Sequence, residues 1–230
     1  MTQVIAHRGA SQAAQENTLI AFRLAQEMGA DWVELDARRA ADGVVVVHHD
    51  AHLPDGRILA DVSSEELPDY IPSLAEALEV CESMNVNIEI KNLPSDPDYD
   101  QDHLVVYAVA GLVQAYLGVE RALITSFNID AVQRIRSVDP SLRCGWVLYE
   151  MTDPASAIGR ALAHEMDTIH PWDVLVDSNF VKRAHQAGLQ VYVWAVDQRE
   201  RIAELTKMGV DGICTNVPDL ARKVIDELGA

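Results

Sequence analysis

His7, Arg8, Glu34, Asp36, His49, Glu89 and Lys91 are the kinds of side chain that phosphate-ester chemistry uses: two imidazoles, three carboxylates and two cations. They arrive in four short clusters, His7-Arg8-Gly9, Glu34-Leu35-Asp36, His48-His49-Asp50 and Glu89-Ile90-Lys91. Each cluster directly follows an apolar, β-like run: Val4-Ile5-Ala6, Trp32-Val33, Val44 to Val47, and Val86 to Ile88. Polar groups gathered at successive strand ends are what one rim of a parallel barrel offers an active site. A lone His-Arg-Gly tripeptide means nothing; its recurrence in kind does.

Glu34 and Asp36 are one residue apart, so on a strand they project to the same side. Carboxylates side by side repel unless a cation or a shared proton relieves them. Glu89 supplies a third oxygen, and an all-oxygen set suits a hard divalent ion, Mg2+, Ca2+ or Mn2+. The competing reading pairs these acids with Arg38, Arg39 or Lys91 as ordinary ion pairs. His7 and His49 suit paired acid–base work near neutral pH, and either can take either role. His48 faces the other way on its strand, and His52, His103, His164 and His185 read as loop or helix-surface residues. His170 ends a strand and is open to a core or a site role.

Arg8 offers a planar fork and Lys91 a point charge for phosphate oxygens. Gly9 permits a sharp turn close to a ligand. Glu16 is placed to hold Arg8, and Asn17 or Thr18 to cap the following helix. Trp194 ends a strand as an apolar wall for an alcohol moiety, with Ser126-Phe127 a weaker candidate.

Eight β-like segments position these groups, near 3–7, 32–36, 86–91, 122–126, 143–148, 166–170, 190–196 and 211–215. Helical segments alternate with them, near 18–28, 73–84, 102–117, 128–138, 154–165, 178–187, 198–208 and 218–228. Ser73-Leu74-Ala75-Glu76 reads as a capping box, and Gly29, Gly188 and Gly209 as left-handed helix ends. This punctuation predicts an α/β fold, a (β/α)8 TIM barrel, in one domain over 1–230. Val44 to His48 returns after only Ala41-Asp42-Gly43, too short for a parallel crossover, and so forms an antiparallel hairpin arm after the second strand. A turn centred on Asp42-Gly43 makes partner numbers sum to about 85 and sets His49 beside Asp36. The segments 52–70 and 91–100 read as loops over the mouth.

The chain has 230 residues, 49% of them hydrophobic, which suits a sizeable single core. No apolar run approaches the ~18–20 residues of a membrane helix, and the start of the chain lacks a basic-then-apolar leader. Cys81, Cys144 and Cys214 have no metal-type spacing and read as buried or free thiols of a cytoplasmic protein. A net charge of −18 argues against nucleic acid and anionic membranes as partners. An anionic substrate then needs local positive charge. Nothing in the sequence supports an oligomer.

Taken in order, His7-Arg8-Gly9, Glu16-Asn17-Thr18, Val33-Glu34-Leu35-Asp36, Val47-His48-His49-Asp50, Ile88-Glu89-Ile90-Lys91 and Val193-Trp194 resemble the glycerophosphodiester phosphodiesterases. The likeness runs on to Asp211-Gly212-Ile213-Cys214-Thr215-Asn216. It implies a TIM-barrel hydrolase of glycerol and lipid metabolism that uses one divalent cation. Such an enzyme cleaves a small-molecule glycerophosphodiester to glycerol 3-phosphate and an alcohol. Carried over by position, His7 and His49 are the acid–base pair, Glu34, Asp36 and Glu89 the metal ligands, and Arg8 and Lys91 the phosphate contacts. Three positions depart from the family's usual pattern. Gln15 stands where Pro is common, Leu53 to Arg57 replaces a Leu-Asp-Arg-Thr-Thr-like stretch, and Asp197 stands where Asn is usual. A lysophospholipase D or sphingomyelinase-like enzyme shares the barrel but needs an apolar lane or membrane-binding face. A non-catalytic ligand-binding barrel is the alternative of another class.

Overall fold

Alternation along each strand decides which residues face the barrel axis and which face the helices. On β1 (Gln3–His7), Val4 and Ala6 join the main apolar core under the helices, whereas Ile5 packs inside the barrel. On β2 (Trp32–Arg39), Val33, Leu35 and Ala37 go outward. Trp32, Glu34 and Asp36, of the opposite parity, therefore face the axis. The computed structural model describes residues 1–150 and 153–229.

The other strands are β3 (Val45–Val47), β4 (Asn85–Ile90), β5 (Ala122–Ser126), β6 (Arg143–Leu148), β7 (Thr168–Pro171), β8 (Gln190–Val193) and β9 (Gly212–Thr215). The sheet order is β1-β9-β8-β7-β6-β5-β4-β2, and β1 pairs with β2 to close a parallel eight-stranded barrel. Between and after the strands lie α1 (Leu19–Glu27), α2 (Leu74–Val80), α3 (Leu104–Leu112), α4 (Ile129–Val138), α5 (Pro154–Ala163), α6 (Ser178–Gln186), α7 (Arg199–Met208) and α8 (Pro218–Leu228). The (β/α)8 barrel is thus as its sequence punctuation predicts.

Local chemistry explains the boundaries. Ser73 and Glu76 form the capping box of α2. Gly29, Gly188 and Gly209 all take positive φ at helix ends, and Pro154 and Pro218 open α5 and α8 where a missing N–H costs nothing. Thr18, not Asn17, caps α1, its Oγ1 accepting from the Ala21 amide at 3.2 Å.

β3 pairs antiparallel with β2, as the short turn requires, but one step away from the expected register. Ala37 faces Val47 and Arg38 faces Val46, so His48, not His49, stands opposite Asp36, donating its amide to the Asp36 carbonyl at 2.9 Å. The turn is longer than a hairpin centred on Asp42-Gly43: Gly43 takes positive φ, and the Ala40 amide bonds the Val44 carbonyl. The 52–70 segment contains two short 3-10 turns and a small apolar cluster of its own that includes Leu53, Leu59 and Val62. Among the described residues no helix is long and apolar enough to cross a membrane.

Candidate active site

At the C-terminal rim, a cavity of about 170 Å³ is lined by His7, Arg8, Glu34, His49, Glu89, Lys91, Phe127, His170 and Trp194, among others. A more open groove of about 450 Å³ continues from it past Asp50, His52, Asp96 and Tyr149. Seven of the eight residues singled out in the sequence therefore share one cavity. The eighth, Asp36, is 1% exposed and lies just behind it.

Glu34, Asp36 and Glu89 each offer a carboxylate oxygen within 4.8 Å of the others. Two cations meet this cluster. Arg8 Nε lies 3.2 Å from Asp36, and Lys91 Nζ lies 3.1 Å from Asp36 and 2.5 Å from Glu89. Arg38 and Arg39 are occupied elsewhere, with Asp96 and Asp98 and with Asp100. The ion-pair reading thus holds for Lys91 alone of the three bases proposed for it, with Arg8 added.

Two cations do not neutralise three carboxylates. Glu34 is the remainder: its Oε2 accepts from the Arg8 amide at 2.9 Å, but its Oε1 is buried with no hydrogen-bond partner among the described residues. Burial, with Asp36 and Glu89 nearby, pushes the Glu34 carboxyl well above the usual carboxylate range, Arg8 and Lys91 notwithstanding. Asp36 goes the other way: burial alone would raise it, but Lys91 and Arg8 outweigh burial and hold it low. An unpaired, buried oxygen inside an all-oxygen cluster is the opening a hard divalent ion fits. Glu34, Asp36 and Glu89 are the residues that would hold it.

Both histidines are anchored at Nδ1. His7 Nδ1 lies 2.8 Å from Asn216 Oδ1, and His49 Nδ1 lies 2.7 Å from Asp50 Oδ1. Burial first, then Arg8, lowers the His7 pKa against the opposing effects of Asn216 and Asp36, which favours the neutral ring. Arg8 is braced by Glu16 at 2.9 Å, as its sequence position suggests. Trp194 and Phe127 meet edge to face, 5.5 Å between ring centroids, and Phe127 continues to Tyr149 at 5.7 Å. The wall is therefore a row of three rings. His170 lies deep, bonded to Thr168 Oγ1 at 2.8 Å and packed on Tyr192.

Four contributors escape a reading of strand ends alone. Asn17, at a φ of 56°, donates to Asp36 Oδ2 at 2.7 Å instead of capping α1. Arg38 reaches the main chain of His49. Asn216 and Asp197 stand behind His7. Of these only Asn216 carries a usable signal, a polar residue following the apolar strand Gly212–Thr215.

Two imidazoles, buried carboxylates and phosphate-competent cations gathered at the rim of this barrel are the groups that a phosphoester hydrolase uses. Comparison with known proteins narrows the class. Residues 7–220 match the model of the Glycerophosphoryl diester phosphodiesterase family. A glycerophosphodiester phosphodiesterase of Caldanaerobacter subterraneus subsp. tengcongensis is 31% identical, over 95% of this chain and 95% of its own. Among solved structures, one from Agrobacterium tumefaciens named glycerophosphodiester phosphodiesterase is 27% identical with a TM-score of 0.81, covering 97% of this chain and 100% of that one. An Oleispira antarctica phosphodiesterase, solved with the product sn-glycerol-3-phosphate, is 25% identical with a TM-score of 0.89, covering 98% and 97%. The chain belongs to the glycerophosphoryl diester phosphodiesterase family. It is an enzyme, a phosphoric diester hydrolase acting on glycerophosphodiesters.

Proposed function

We propose that residues 1–230 act as one domain that cleaves small glycerophosphodiesters to glycerol 3-phosphate and an alcohol, with His7 and His49 as the acid–base pair. The carrying observation is the unpaired Glu34 Oε1 within the Glu34–Asp36–Glu89 cluster, on the cavity that both imidazoles line. A divalent cation held there, Mg2+ or Ca2+ with Mn2+ as a further candidate, would supply charge neutralisation at the phosphate and acidify a bound hydroxyl.

The chain's own groups do the rest. Arg8 and Lys91 draw the phosphate oxygens into the cavity, against the repulsion of an acidic protein. One imidazole takes the proton from the nucleophile and the other gives one to the departing alkoxide. Water as nucleophile gives glycerol 3-phosphate directly, whereas a glycerol hydroxyl gives a cyclic phosphate that water then opens to glycerol 3-phosphate. Trp194 and Phe127 exclude water on the alcohol side. The three cysteines are free and buried, which supports a reducing, cytoplasmic setting.

The relatives favour neither a lysophospholipase D or sphingomyelinase-like enzyme nor a non-catalytic barrel, since their named activity is glycerophosphodiester hydrolysis. The test is glycerol 3-phosphate release from glycerophosphocholine by His7→Ala and His49→Ala. Each substitution is expected to lower turnover by about 10²–10⁴-fold with folding intact. Wild-type turnover in both variants refutes the assignment.

A further inference from the structure

Asp197, in the loop after β8, touches neither the cavity nor any residue proposed to do chemistry. Its carboxylate nonetheless collects three donors. Oδ1 accepts from Thr215 Oγ1 at 3.0 Å and from the Asn216 amide at 2.8 Å, and Oδ2 accepts from Asn216 Nδ2 at 2.7 Å. An ionised carboxylate only accepts, so the Asn216 atom facing it must be the NH2 group. The amide orientation is thereby fixed by chemistry. Asn216 Oδ1 must then face the other way, where it meets His7 Nδ1 at 2.8 Å and the Ser11 hydroxyl at 2.7 Å. A carbonyl oxygen also only accepts. His7 Nδ1 is therefore the protonated nitrogen of the neutral ring, and Nε2 carries the lone pair.

We infer that Asp197 is a positioning residue: acting through Asn216, it locks His7 in the Nδ1–H tautomer and leaves Nε2 as the acceptor available to the cavity. The inference rests on the reading of His7 as an acid–base group and adds what sets its tautomer. In Asp197→Asn the oxygen must stay toward the immovable backbone amide of residue 216, so the new NH2 faces Asn216. The Asn216 amide then turns over to accept it, presents its own NH2 to His7, and forces the Nε2–H tautomer. Adding Asn216→Asp restores an acceptor that serves both neighbours at once.

The test is 15N NMR of the full-length chain labelled at its histidines, with His7 assigned by a His7→Gln difference spectrum. Turnover of glycerophosphocholine with Mg2+ present is measured in parallel. Wild type is expected to show Nδ1–H at His7, and Asp197→Asn to show Nε2–H. In Asp197→Asn kcat is expected to fall, by up to the ~10⁴-fold that a tautomer error in a catalytic histidine costs, with KM little changed. The double variant Asp197→Asn/Asn216→Asp is expected to regain Nδ1–H and most of the lost kcat. An Nε2–H ring in wild type overturns the inference, and that result needs no variant to fold. So does an unchanged tautomer in Asp197→Asn, or a double variant no better than the single. The NMR arm requires no substrate, so it judges Asp197 even if the chain turned over no glycerophosphodiester.

Discussion

Arg38 Nε donates to the main-chain carbonyl of His49 at 2.9 Å, while Nη1 of the same guanidinium grips both oxygens of Asp98 at 2.7 Å. One buried side chain on β2 thus ties a proposed acid–base residue to the loop that follows β4. The Arg38 and Asp98 side chains are 5% and 4% exposed. A fork with several fixed donors does this; a lysine cannot.

Removing one member of a buried pair strands the other, at about 3–5 kcal/mol. Arg38→Leu is therefore expected to lower unfolding free energy by that order in urea titration. Arg38→Leu/Asp98→Leu should be less damaged than Arg38→Leu alone. Turnover should fall in both, because His49 loses its backbone tether in both. An Arg38→Leu protein as stable and active as wild type contradicts the role.

Glu34 makes an unusual contribution to stability. In the unfolded chain it ionises above about pH 4.3, whereas in the fold its carboxyl is held well above that range. The folded state then binds more protons, so stability falls as pH rises through that window. Glu34→Gln removes the liability. Metal-free Glu34→Gln is expected to melt higher than metal-free wild type at pH 8, with a smaller gap at pH 5. Adding Mg2+ should raise the wild-type melting temperature and leave that of the variant nearly unmoved. Equal melting of the two metal-free proteins at pH 8 counts against the account.

His170 works through pH in the opposite sense. Burial, with a smaller effect of Arg143, takes it from 6.5 down to about 3. The unfolded ring gains a proton that the folded ring refuses, so stability is full above pH 6.5 and drains away toward pH 3. At about 1.4 kcal/mol per pH unit, going from pH 6.5 to 5 costs about 2 kcal/mol. His170→Gln should flatten this slope in urea unfolding at the two pH values. An unchanged slope contradicts the assignment.

Gly9 sits at a φ of 83°, and a Cβ there would lie 2.7 Å from the Ala21 backbone carbonyl carbon. That backbone belongs to α1 and cannot yield cheaply. Gly9→Ala is expected to cost more than the ~1–2 kcal/mol of left-handed strain alone. It should also raise KM by displacing Arg8, whose amide holds Glu34. Unaltered KM and melting temperature would contradict this.

The barrel was legible, and seven of the eight residues singled out in the sequence line the cavity, because strand alternation and strand ends are local properties of the chain. Glu34 and Asp36 face inward by parity, and Glu89 repeats the placement on β4. The hairpin register was not legible to the residue, since a turn one residue longer shifts every partner: His48 took the place expected for His49. Asn17 reads as a helix cap from its neighbours in sequence, but a left-handed backbone turns its amide to Asp36. Asp197 and Arg38 act across 19 and 11 residues, on Asn216 and on the main chain of His49. No local pattern announces contacts of that kind.

The central claim is that three buried acids hold a cation on which turnover by the two histidines depends. Its most direct test is glycerol 3-phosphate release from glycerophosphocholine by chelator-stripped protein, before and after Mg2+, Ca2+ or Mn2+ is returned. Negligible release without metal, restored by at least one of the three ions in wild type but by none in Glu34→Gln, is the predicted result. Undiminished release from the stripped protein would contradict it.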